Sequence, residues 1–166
     1  MNPYLYFGIL FGLTLLQSTV MPKITVLGVH PDLVLMAVTS WSLLRGAEEG
    51  MLWALISGVV LDLLSGAPFG IYSLALLTIG FAAGLGQRNM LRVDILAPIV
   101  AIPLATLAYL LITMTLLSIL GWEMEWGARV GAVVLPSILV NSLGMPFVYL
   151  PARLLHRRVA REEISW

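Results

Sequence analysis

The 166-residue chain is 60% hydrophobic and 11% charged, with a mean hydropathy of +0.98 and a formal net charge of zero. Soluble domains carry about 45–50% apolar and about 25% charged residues, so this inventory cannot clothe a fold in water. With no cysteine there is neither a disulfide framework nor a thiolate metal site, and nothing in the balanced charge points to nucleic acid.

Hydrophobic segments extend along the whole chain, which implies one all-α, polytopic membrane domain (1–150) and a basic tail (151–166). The first span is predicted from Tyr4 to Val20. It lacks a basic leader and a small-x-small cleavage site, so it reads as a retained helix. Pro31 to Leu44 forms the second, with Pro31 at the first helical position and Asp32 facing the positive end of the dipole. At 1.5 Å per residue it is about 21 Å long, short for a hydrocarbon core of about 30 Å. Arg45-Gly46 closes it, and Glu48 and Glu49 open a third helix, Ala47 to Leu64, at its favourable end.

The fourth, fifth and sixth spans are predicted at Phe69 to Gln87, Ile95 to Leu120 and Arg129 to Leu150, giving six transmembrane helices. Pro103, Pro136 and Pro146 fall inside the last two, where kinks are expected. Trp122 and Trp126 flank an external loop at the depth of an interfacial belt. After Pro151, RLLHRRVAREEI alternates basic and apolar residues and reads as a short helix lying on the anionic cytoplasmic leaflet. With the N-terminus inside, the cytoplasmic stretches hold Arg45, Arg88, Arg92, Arg153, Arg157, Arg158 and Arg161, whereas Lys23 and Arg129 alone lie outside. This bias places both termini in the cytoplasm.

Gly46, Gly50, Ala54, Gly58, Asp62, Gly66 and Gly70 recur at intervals of four. On a helix that spacing builds a smooth ridge that admits a neighbouring backbone. Two packings are open: within the chain, against helix four or one, or against another subunit, including a second copy in a homodimer. Asp62 is the only acid on this ridge and needs a partner among apolar neighbours. In the last turn of helix three, near the external surface, it can snorkel to water, cap the next turn through Ser65, or pair with Lys23, His30 or Arg129 on that side or with a partner's helix. Asp32 and Asn141 are secondary candidates, Asp32 as a helix-end acid that shares the outer rim with Asp62 and Asn141 as a mid-span amide bonding across helices. No catalytic constellation, phosphate loop or metal-ligand spacing is present, and no cofactor is expected.

Pro31-Asp32-Leu33, Arg45-Gly46, Gly50, Gly58, Asp62, Ser65-Gly66 and Gly70, with Leu16-Gln17-Ser18-Thr19 before them, resemble the bacterial rod shape-determining MreD family. Ala54 and Leu55 depart from it, standing where the family often has Gly followed by Phe. The resemblance implies a non-enzymatic, multi-pass scaffold of the inner membrane within the elongasome, the machinery that inserts peptidoglycan along the side wall. It further implies association with the single-span protein MreC and, directly or through it, with RodA, the elongation transpeptidase and actin-like MreB filaments. A fold similar to the six-helix substrate-binding subunits of energy-coupling-factor vitamin transporters is implied as well. That likeness keeps a rival reading open, a small-molecule transport component with an outward-facing cavity.

Overall fold

Apolar runs divided by glycine and proline become helices whose ends follow those punctuation marks. The computed structural model describes residues 3–89, 96–123 and 125–163. Helix α1 is Pro3–Thr19, followed by a 3-10 turn at Met21–Lys23; α2 is Leu33–Arg45, α3 Ala47–Ser65, α4 Ile71–Asn89 and α5 Leu96–Ile119. A short α6, Trp126–Arg129, passes through a π-helical turn, Val130–Val134, into the long α7, Leu135–Glu163. The described residues are all-helical apart from turns and one isolated bridge between Val26 and Val29. Arg92, one of the predicted topology determinants, lies outside them.

Several boundaries move from those expected. Pro31 precedes the helix instead of starting it, and Asp32 is the N-cap of α2, its Oδ1 accepting from Leu35 N at 2.9 Å. An aspartate at this position satisfies one of the amide groups that the first turn leaves without a partner. Pro103, Pro146 and Pro151 all sit inside continuous helices, so residues 151–163 extend α7. Proline in a membrane helix is tolerated because neighbouring groups satisfy the carbonyls it frees.

Helix α2 is the axis of the fold. Every residue from Val34 to Leu43 is buried, and α1, α3, α4, α5 and α7 all pack against it. Its shortness follows from this position: a helix wrapped in protein need not match the bilayer. Ser40 and Ser42 are accommodated there because their hydroxyls donate to Met36 O and Val38 O, both at 2.7 Å. On the periphery the reverse holds. Leu104 of α5 is 62% exposed, and Leu143 and Phe147 of α7 are 72% and 81% exposed, an arrangement suited to acyl chains and costly in water. Ala97–Ile119 and Val130–Arg157 are each apolar and long enough to cross a bilayer; Leu33–Arg45 and Ile71–Gly86 are apolar but shorter.

The α2–α3 junction is a sharp reversal at Gly46, whose φ of +93° lies in the region that glycine alone enters cheaply. Across it, Trp41 stacks on Trp53 with ring centroids 4.4 Å apart. Glu49 ties the corner together, accepting from Trp41 Nε1 at 3.0 Å and pairing with Arg45 Nε at 3.0 Å.

Candidate functional site

The small-residue ridge of α3 is covered from within the chain, chiefly by α4 and at one end by α2. A Cβ added at Gly58 would stand 2.5 Å from Ser73 Cα, and one at Gly50 would stand 2.7 Å from Ser42 Cβ. The opposing helix is equally bare: a Cβ at Gly80 would meet Gly50 O at 2.8 Å, and one at Gly84 would run into the backbone of Ala47. Ala54 is fully buried in the same seam. Two glycine rows therefore face one another, and α3 and α4 form the most extensive helix pair among the described residues. Of the two packings open to the ridge, the intramolecular one occupies Gly50, Ala54 and Gly58.

Gly66 and Gly70 share the interval of four but lie beyond the end of α3, and neither has an atom crowding its absent Cβ. They serve backbone conformation. Gly66 caps α3 in the left-handed region with φ +68°, and Gly70 has φ +103° where the chain turns into α4.

Gly70 also explains Asp62. Its carbonyl accepts the first bond of α4, from Leu74 N at 3.0 Å, so it holds the N-cap position without a side chain to cap anything. Asp62 supplies the missing oxygens from the neighbouring helix. Its Oδ1 accepts from Tyr72 N at 2.9 Å, and its Oδ2 accepts from Ser73 N at 3.1 Å and from the Ser73 hydroxyl. The carboxylate is only 4% exposed, yet it faces the positive end of the α4 dipole. Among the described residues, no cation is its partner. Lys23 and His30 are exposed, His30 Nδ1 lies 3.1 Å from Ile24 O, and the side chain of Arg129 is outside the described residues. Ser65 acts locally, its hydroxyl meeting Asp62 O at 3.5 Å and accepting from Ala67 N at 3.2 Å.

A second joint gathers the start of α2. Asn141 of α7 accepts from Asp32 N at 2.9 Å through Oδ1 and donates from Nδ2 to Thr106 Oγ1 of α5 at 3.2 Å. Gln17 of α1 accepts from Leu33 N at 2.8 Å and donates to Pro31 O at 3.4 Å. Asp32 and Asn141 thus meet directly, whereas Asp62 belongs to the α3–α4 joint. Asn141→Ala is expected to lower stability by about 1 kcal/mol, the scale of side-chain hydrogen bonds between membrane helices. Reversible unfolding of the purified protein in mixed micelles checks this.

Sequence reasoning missed Ser73, Thr106 and the Gly80/Gly84 row. The interval between Gly80 and Gly84 was a usable signal, a second small-x-x-x-small pair placed to meet the first. Beside the two joints, Asp32, Tyr72 and Tyr109 border a cavity of about 420 Å³.

These joints assemble helices and present no set of cooperating catalytic groups among the described residues. No curated protein and no solved structure matches the chain. The family model described as rod shape-determining protein MreD does match, over residues 1–159, and covers nearly all of the sequence and both joints. With its apolar helices and exposed leucine faces, this chain is a membrane protein that belongs to the MreD family of rod shape-determining proteins.

Proposed function

We propose that the chain is a non-enzymatic scaffold of the peptidoglycan elongation machinery, crossing the bacterial inner membrane six times with both termini in the cytoplasm. In this reading it binds MreC and, directly or through it, connects RodA and the elongation transpeptidase to the site of wall growth. Membrane lipid surrounds it, and a homodimer is compatible with its exposed apolar faces. The observation that carries the reading is the family match along residues 1–159. The excess of arginine in the stretches assigned to the cytoplasm supports the orientation.

The ridge residues Gly50, Ala54 and Gly58, with Asp62, Gly66 and Gly70, contribute by holding the α3–α4 hairpin in the shape that a partner's membrane anchor meets. The domain division at residue 150 remains part of this proposal, with the end of α7 emerging as a basic cytoplasmic extension. Likeness to the energy-coupling-factor substrate-binding subunits is proposed for the helical arrangement.

Co-expression with the MreC protein of the same organism, followed by purification through a tag on this chain, tests the scaffold. Stoichiometric recovery of MreC is expected; a chain that elutes without it refutes the assignment. The rival, a small-molecule transport component, is favoured by one observation, the partly polar cavity beside Asp32. Solute uptake by vesicles carrying the protein would favour the rival.

A further inference from the structure

The cavity of about 420 Å³ opens where α1 and α3 end and α2 and α4 begin, with Tyr109 of α5 in its lining. Its size falls in the range of small-ligand sites. Half of its polar residues are already committed. Gln17 is engaged at the start of α2, Ser18 Oγ donates to Leu15 O at 3.1 Å, and Ser65 serves the turn after α3.

Three groups keep hydrogen-bonding capacity to spare. The Asp32 carboxylate takes the Leu35 amide on Oδ1 as its cap and has the Val34 amide beside it, which leaves lone pairs free for a further donor from the cavity. The hydroxyls of Tyr72 and Tyr109 make no hydrogen bond to any described residue. Their rings lie 6.4 Å apart at 32°. Tyr109 is only 6% exposed, so its hydroxyl is a polar group held inside the fold beside the cavity. A carboxylate oxygen, two phenols and two aromatic rings, with no Lys, Arg or His in the lining, form a site that rejects anions and rewards a positively charged donor.

We propose that this cavity binds a small organic cation, an alkylammonium or alkylguanidinium, with its N–H groups donating to the Asp32 carboxylate and the phenols and its charge beside the tyrosine rings. The proposal does not depend on MreC binding, since it concerns the chain alone.

The test uses the full chain in lipid nanodiscs and titrates n-butylammonium, n-butylguanidinium, n-butyrate and n-butanol by calorimetry. Saturable binding of at least one cation is expected, with none for butyrate or butanol. Asp32→Asn retains the helix cap, because asparagine caps as well as aspartate, and removes only the charge. It should weaken the cation roughly tenfold, the scale of losing one charged hydrogen bond. Tyr109→Phe should weaken it several-fold and decides the matter should Asp32→Asn fail to fold. Absence of saturable cation binding, equal binding of butyrate, or wild-type affinity in a folded Asp32→Asn or Tyr109→Phe protein would reduce Asp32 to a hydrated cap only and overturn the proposal.

Discussion

Asp62→Ala is expected to destabilise the protein by about 3 kcal/mol and to release α4 from α3. The substitution removes the acceptor for Tyr72 N, Ser73 N and the Ser73 hydroxyl at once. Loss of a helix cap alone costs about 1 kcal/mol, and a buried donor left without a partner costs about 1–3 kcal/mol. The combined effect sits at the upper end because Gly70 cannot replace the missing cap, and water reaches a 4%-exposed site poorly. Asp62→Asn retains an acceptor oxygen but loses the charge facing the α4 dipole, so an intermediate loss is expected. Unfolding of the purified variants in mixed micelles, read alongside recovery of MreC, separates the two consequences. A variant of wild-type stability that no longer recovers MreC would mean that Asp62 acts on the partner directly.

Gly58→Leu should be more damaging still. The first added carbon would stand 2.5 Å from Ser73 Cα, a backbone atom that cannot swing aside, so α4 must move as a body. Overpacking a seam of this kind costs about 1–3 kcal/mol, occasionally more, against about 1 kcal/mol regained by removing glycine from a helix. The same displacement drags Tyr72 and Ser73 away from Asp62, which adds the loss described above. Gly12→Leu is the matching control, because no atom lies within 4 Å of a Cβ built there. Expression and monodispersity by detergent gel filtration should fall for Gly58→Leu and hold for Gly12→Leu. Equal behaviour of the two would mean that α3 and α4 have room to spare.

Helix positions were legible in the sequence because their ends are written in local chemistry. Arg45-Gly46 stops one helix and starts the next, and the ridge was read from spacing alone; its central residues do admit another backbone. The reading failed where that spacing continued past the helix end. Gly66 and Gly70 fit an interval of four, yet Ser65 is the last residue of α3, and turn conformation explains both glycines better. Among the partners that the sequence left open for Asp62, the amides of the next helix were missing for a related reason. The helix end that binds it belongs to α4, and backbone amides leave no mark in sequence. The convergence of Gln17, Asp32, Thr106 and Asn141 depends on tertiary packing between residues as much as 109 positions apart, which no local pattern encodes.

The sheathing of α2 has a mechanical corollary. A rod that meets no acyl chain along its buried length receives no direct push from a change in bilayer thickness, so such a change loads the outer helices α5 and α7 first. Asn141, accepting from Asp32 N and donating to Thr106, is the hydrogen-bonded link between those outer helices and the centre.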